Sequence, residues 1–310
     1  MENENKMRDL IIIGAGPAGL GASIYASRYK LDHLVFGAEI GGQVVEASEI
    51  ENWAGEKSIS GEDLMKKFQD QAEGLGAKII QSNIGNVSKL EEGFEVTTGE
   101  GKKYKCKAVI LALGMKPRRM NVIGEKELIG KGVSYCATCD AMFFRGKDVV
   151  VVGGGDAAAM AATHLSEFAN KVYLSYREGG TNWNPAREDE LKQNKKIELL
   201  ENTELKEIKG SGNVNGIVYE QNGEKKELSV QGVFIEIGSV PGVVIAKQLG
   251  VELDEQHYIK VDQTQATNID GIFAAGDVTT ASNKFRQIIT AVAEGAVAAG
   301  SVYKKLKLKK

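Results

Sequence analysis

A chain of 310 residues with 37 glycines and 6% aromatic residues suits a glycine-punctuated α/β protein of two domains better than a sandwich or a coiled coil. A formal net charge of −3 gives no basis for nucleic-acid binding by bulk charge, and no apolar run is long enough to span a membrane. Residues 1–9 are polar and the run 10–13 is too short for a signal-peptide core, so a reducing cytoplasm is expected, where a C-x-x-C pair is more often catalytic than structural.

Taken in chain order, residues 10–13 predict a short apolar strand that runs into Gly14-Ala15-Gly16-Pro17-Ala18-Gly19 and then an alanine-rich helix to about Tyr29. Strand, tight turn and helix form the context in which G-x-G-x-x-G marks a dinucleotide site. The glycines let the backbone approach a pyrophosphate, whose charge the helix N-terminus stabilises. A second strand, 34–36, leads to Glu39, 20 residues past Gly19 and so spaced to meet a ribose hydroxyl. The strand-like stretch 105–111 carries Cys106, read as a small core hydrophobe. An apolar strand over 109–114 breaks at Gly114, Lys116 and Pro117.

The fingerprint recurs after the strand 148–152 as Gly153-Gly154-Gly155-Asp156-Ala157-Ala158, followed by a helix to about Phe168 and a strand over 171–176. Another strand, 232–238, breaks at Ser239, Val240 and Pro241. The two breaks predict the crossings of an inserted domain. The expected fold is therefore α/β with two Rossmann-like dinucleotide-binding domains: an FAD-binding domain over 1–114 and 241–310, and an NAD(P)H-like domain over 115–240 that carries the cysteine pair. In the resumed part a strand ends at Gly276-Asp277-Val278, where Asp277 is read as a contact to the ribityl chain of FAD, and a helix spans about 285–305. FMN fits less well, because the first turn needs a pyrophosphate to cradle.

Cys136-Ala137-Thr138-Cys139-Asp140 lies between the two fingerprints. Zinc needs about four Cys or His ligands, whereas only Cys106 and the scattered His33, His164 and His257 remain; no metal is expected. A structural bridge over so short a loop removes little unfolded-state entropy. Redox chemistry is the favoured reading, one sulfur reaching a flavin and the other a partner's disulfide.

Gly14-Ala15-Gly16-Pro17-Ala18-Gly19, Gly41-Gly42-Gln43, Glu51-Asn52-Trp53, the C-x-x-C segment, Gly276-Asp277-Val278 and Arg286-Gln287-Ile288 occur in an order and spacing that resembles the low-molecular-weight thioredoxin reductases over nearly the whole chain. The resemblance implies that FAD is held by Gly14, Ala15, Gly16, Pro17, Gly19, Glu39, Gly42, Gln43, Asn52, Asp277, Arg286, Gln287 and Ile288. It also implies that Cys136 and Cys139 form the catalytic pair with Cys139 nearest the flavin, that Asp140 moves protons, that thioredoxin is the acceptor and that the chain is a homodimer. Asp140 could also cap a helix.

The chain departs from that family where the 2′-phosphate of NADPH is read. The family's His-Arg-Arg-x-x-x-Arg element falls on Tyr176-Arg177-Glu178-Gly179-Gly180-Thr181-Asn182, so two of three arginines are gone and Glu178 would repel the phosphate. The chain is thus most similar to the ferredoxin-dependent flavin thioredoxin reductases, with ferredoxin the expected donor. Arg118, Arg119, Lys126 and Lys131 are its expected docking face, ahead of Lys304, Lys305, Lys307, Lys309 and Lys310. The alternatives are an NADH-dependent reductase in which Glu178 holds the ribose, a flavin-dependent dithiol oxidase, and a non-catalytic redox-sensing flavoprotein. A ferredoxin-NADP reductase shares the two-domain plan but has no use for C-x-x-C and needs the missing arginines.

Overall fold

The structure, a computed structural model, describes residues 6–47, 50–177, 179, 181, 183 and 185–308. The chain forms two compact units, Met1–Lys116 with Pro241–Lys310, and Pro117–Val240. No helix among the described residues is long and apolar enough to cross a membrane.

The N-terminal part of the first unit contains β1 (Met7–Ile13), α1 (Pro17–Arg28), β2 (His33–Gly37), α2 (Gly61–Gly74), β3 (Lys78–Gln81), β4 (Ile84–Lys89), β5 (Phe94–Thr98), β6 (Lys103–Leu111) and β7 (Met115–Pro117). The second unit follows with β8 (Val133–Ser134), α3 (Ala137–Asp140), β9 (Asp148–Val152), α4 (Asp156–Phe168), β10 (Lys171–Ser175), α5 (Pro185–Gln193), β11 (Ile197–Leu200), β12 (Thr203–Lys209), β13 (Gly216–Gln221), β14 (Glu224–Leu228), β15 (Gly232–Ile235) and β16 (Ser239–Pro241). The first unit resumes with α6 (Val244–Gln248), β17 (Ile272–Ala274) and α7 (Ile288–Tyr303).

In the first unit the sheet order is β3-β2-β1-β6-β5-β4, with β17 also paired to β6. β1 pairs in parallel with β2 and β6, and a central parallel strand covered on both faces reads as an unbroken apolar run. Ile11 and Ile13 accordingly pack on one face with Phe36 and Val109, while Leu10 and Ile12 face a layer of alanines from α1 and α7. Each fully buried Leu or Ile contributes about 1.5–3 kcal/mol. Those small residues let the two helices touch: a Cβ on Gly295 would lie 2.1 Å from the Ala18 carbonyl oxygen. α1, which carries the first fingerprint, is thereby held directly against α7.

The strand expected over 109–114 runs instead over Lys103–Leu111. It stops at Leu111 because the chain beyond it passes beside the first fingerprint; a Cβ on Gly14 would sit 2.0 Å from the Ala112 carbonyl oxygen. Cys106 is fully buried in β6, and burial pushes its thiol up to about 12.

The second unit has a five-stranded parallel sheet, order β11-β10-β9-β15-β8, and an antiparallel meander β12-β13-β14. On one face of the sheet, Ala158, Ala159, Ala161 and Ala162 of α4 pack against Val149, Val151 and Leu174. Its other face packs Val150, Val152 and Val233 against Leu205, Ile217 and Tyr219 of the meander.

Candidate functional site

In the second unit, Cys136 and Cys139 form a disulfide with Cα atoms 5.4 Å apart. Cys136 has extended backbone at the N-cap of α3, and the Cys139 N–H donates to its Sγ at 3.1 Å. Ser134 braces the same residue: its Oγ accepts from the Cys136 N–H at 3.0 Å and donates to the Cys136 carbonyl at 3.2 Å. Ala137 and Ala141 pin the loop into the core of this unit, leaving Cys136 half-buried and Cys139 exposed. Asp140 is half-buried at the far end of α3 and its carboxylate makes no capping hydrogen bond, so the cap is the Cys136 sulfur and the carboxylate stays available beside Cys139. Directly after it, Met142 and Phe143 are 63% and 66% exposed. This exposed apolar pair beside the disulfide is a feature that residue types alone did not reveal. Among the described residues no three His, Cys, Asp or Glu side chains gather to hold a metal.

In the first unit, the first fingerprint opens α1 with Pro17 in its first turn, where the missing N–H costs nothing. Gly14 and Gly19 are required by the chain itself, since a Cβ on Gly19 would lie 1.8 Å from the Gly14 carbonyl oxygen. Gly16 differs. A Cβ there would meet nothing closer than 3.8 Å, so its absence keeps open the approach to the free N–H groups of α1. Facing Gly16 are Gly41 and Gly42, both in left-handed conformation, tied in by the Gly41 N–H donating to the Ala15 carbonyl. Gln43 and Glu39 are exposed on this rim.

Asn52 and Gln287, 235 positions apart, meet through an Asn52 Nδ2 to Gln287 Oε1 hydrogen bond of 3.0 Å. Gln287 also caps α7 in a capping box with Thr290, and Ile288 packs against the cluster of Leu20, Ile50 and Met65. Arg286 lies over the Tyr258 ring, 4.6 Å from its centroid, and donates to its hydroxyl. Asp277 follows Gly276, where a Cβ would press on Ala18 at 2.8 Å; the carboxylate thus lies near the start of α1. Burial, with the neighbouring Glu294 charge, pushes its carboxyl up to about 6. It has no hydrogen-bond partner among the described residues. Glu294, unremarked in the sequence, is buried in α7 and accepts from the Gly276 N–H at 2.8 Å and the Thr279 hydroxyl at 3.0 Å. An open glycine cradle with a desolvated, unpartnered carboxylate beside it fits a dinucleotide flavin: phosphates at the helix start, a hydroxyl chain at Asp277.

The second fingerprint is not open in the same way. The Trp183 indole Nε1 donates to the Gly155 carbonyl at 3.1 Å, and its ring meets Tyr176 edge-on at 5.0 Å. Arg177, the surviving arginine, pairs with Glu204 at 3.3 Å. Glu178 and Asn182 lie outside the described residues. On α4, Met160 is 57% exposed while its alanine neighbours are buried.

Residues 8–295 match the model of the pyridine nucleotide-disulphide oxidoreductase family. The chain is 40% identical over 308 residues to a thioredoxin reductase of Listeria monocytogenes, covering 98% of this chain and 95% of the relative. Among solved structures it is similar to the Lactococcus lactis thioredoxin reductase in its FR conformation, with TM-score 0.85 and 34% identity over 96% of this chain and 98% of that one. It is also similar to the T. acidophilum thioredoxin reductase, with TM-score 0.84 and 38% identity over 97% and 99% of the two chains. The fold thus agrees with these relatives, and the chain belongs to the thioredoxin reductase group of the pyridine nucleotide-disulphide oxidoreductases, a family of FAD-binding flavoproteins.

Proposed function

We propose that this protein reduces thioredoxin through FAD and the Cys136/Cys139 pair, and that its electrons come from reduced ferredoxin rather than from NADPH. The observation that carries the donor assignment is the second fingerprint, where Trp183 lies on Gly155 and Arg177 is engaged by Glu204. A nucleotide phosphate approaching that turn meets the indole bonded to Gly155 and shares the exposed Arg177 with Glu204.

In this reading the unit Met1–Lys116 with Pro241–Lys310 holds FAD. Gly14, Ala15, Gly16, Pro17 and Gly19 line the pyrophosphate turn, with Glu39, Gly42 and Gln43 on its rim, Asn52, Gln287 and Ile288 shaping the wall, and Asp277 bonding a hydroxyl. Arg286 contributes through Tyr258. When bound, FAD supplies the electron pair that opens the disulfide. Of the resulting thiols, one attacks the partner's disulfide as thiolate and the other resolves the mixed disulfide, while Asp140 passes the proton that the leaving sulfur needs. The exposed Met142 and Phe143 give the partner an apolar footing next to the exchanging sulfurs.

Ferredoxins are acidic, and Arg118, Arg119, Lys126 and Lys131 are exposed, with no salt bridge among the described residues. Arg119 and Lys126 border a groove of about 750 Å³ beside the exposed Ile123. The lysine tail serves less well, because Lys305 pairs with Asp270 and Lys307 with Asp9, while Lys309 and Lys310 lie outside the described residues. Between a ferredoxin near about −400 mV and a thioredoxin near about −270 mV, two electrons release roughly 6 kcal/mol, enough to drive the transfer.

The test is anaerobic stopped-flow flavin reduction with NADPH, NADH and reduced ferredoxin in turn. Reduced ferredoxin is expected to bleach the flavin and support thioredoxin reduction, with NADPH slow or inert. Fast bleaching by NADPH would overturn the donor assignment, and fast bleaching by NADH alone would make this an NADH enzyme.

A further inference from the structure

One buried carboxyl group tied to the residue before Cys136 is not used by the chemistry above. Glu125 is 2% exposed, yet it is a carboxylate, and an ionised group so placed must have its lone pairs satisfied. Its Oε1 accepts from the Met120 N–H at 3.1 Å and from the Tyr135 hydroxyl at 2.5 Å. Oε2 accepts from the Asn121 N–H at 2.5 Å and the Val122 N–H at 3.3 Å. Three successive backbone amides and one phenol therefore converge on a single buried anion.

The turn that carries Glu125 is itself fixed to the scaffold. A Cβ on Gly124 would sit 2.0 Å from the Ile208 carbonyl oxygen, and the Ile208 N–H donates to the Ile123 carbonyl at 2.8 Å. On its other side the anchor ends at Tyr135, the residue before Cys136. Between them Ser134 and Tyr135 restrain the chain entering the disulfide, Ser134 by gripping the Cys136 backbone and Tyr135 by its tether to the meander through Glu125.

We propose that Glu125 is a positioning residue for the redox pair: acting through the Tyr135 hydroxyl, it holds Cys136 where its sulfur meets that of Cys139 and so sets how readily the disulfide closes. A dithiol whose first sulfur is held in place has less conformational freedom to lose on ring closure. Releasing it favours the dithiol and loosens Cys136 more than Cys139, which sits on α3. The proposal rests on the pair being redox-active, and not on the identity of the donor or acceptor.

The experiment uses flavin-loaded protein equilibrated in glutathione buffers, with the thiols trapped by acid and alkylation and counted by mass spectrometry. In this exchange the Cys136–Cys139 bond breaks and each sulfur gains a proton and an electron, while two glutathione thiols lose the same and join as glutathione disulfide. Tyr135→Phe keeps the ring and leaves Glu125 its three amides, so it removes the tether alone; Glu125→Gln is the stronger change.

Tyr135→Phe is expected to move the equilibrium toward the dithiol by about threefold or more, equivalent to about 14 mV. The alkylation rate of reduced Cys136 relative to Cys139 should rise by about twofold or more. A purely structural role would lower the melting temperature and leave both ratios alone. Tyr135→Phe within about 1.5-fold of the parent in both readouts would overturn the proposal, whatever Glu125→Gln does to folding. A parent pair that never exchanges with glutathione would instead overturn the redox reading on which it rests.

Discussion

Asp277→Asn is expected to stabilise the flavin-free protein while weakening its hold on FAD. The Asp277 carboxyl is pushed from an ordinary 3.8 up to about 6 by burial, with the Glu294 charge adding to it. At about 1.4 kcal/mol per pH unit the shift has a ceiling of roughly 3 kcal/mol, and partial solvent access reduces this to about 1–2 kcal/mol. Because the folded pKa is raised, the native state keeps a proton that the unfolded chain loses between pH 3.8 and about 6. Stability therefore falls as pH rises through that window, and the full penalty is present above it. Asparagine carries no charge to desolvate. The variant should melt about 2–6 °C higher than the parent near pH 7.5, a gain that vanishes near pH 4. Its dissociation constant for FAD should rise roughly tenfold, since a neutral amide replaces a charged acceptor. Thermal melts across this pH range and a fluorescence titration with FAD check both halves. A variant that is less stable near neutral pH, or whose difference from the parent ignores pH, would refute the reasoning.

Cys136→Ser and Cys139→Ser should each lower thioredoxin reduction at least about a hundredfold, because a complete exchange cycle needs both sulfurs; bound flavin, followed by its absorbance, should be unchanged. Gly19→Ala places a Cβ 1.8 Å from the Gly14 carbonyl oxygen, so the purified protein should lack flavin colour and melt at lower temperature. Cys106, buried and with its thiol pushed up to about 12, should resist iodoacetamide in the native protein and react only in denaturant. Phe143→Ser should raise the KM for thioredoxin about tenfold with kcat nearly unchanged, because it removes contact area rather than chemistry; steady-state kinetics distinguish the two.

Much of the scaffold was legible before the tertiary structure. Four apolar residues running into Gly14-Ala15-Gly16-Pro17-Ala18-Gly19 specify strand, turn and helix through contacts within about thirty residues, and the second fingerprint repeats that logic. Ends of elements were less legible. The strand expected over 109–114 stops at Leu111 because Ala112 must pass Gly14, a contact between segments nearly a hundred positions apart. The alternative reading of Asp140 as a helix cap is not met, because the Cys136 sulfur at the start of α3 accepts from the Cys139 N–H.

The amino-acid sequence by itself determined the two dinucleotide folds and the C-x-x-C pair between them, because each is written in residues close along the chain. Folding decided the rest: that Asn52 bonds Gln287, that Glu294 charges the surroundings of Asp277, that Trp183 lies on Gly155 and that Glu125 restrains Tyr135. Three of these four pairs join residues at least seventeen positions apart, and no periodicity or spacing encodes them. Their common cause is burial, which forces each desolvated polar group to find whatever partner the packed chain brings within reach.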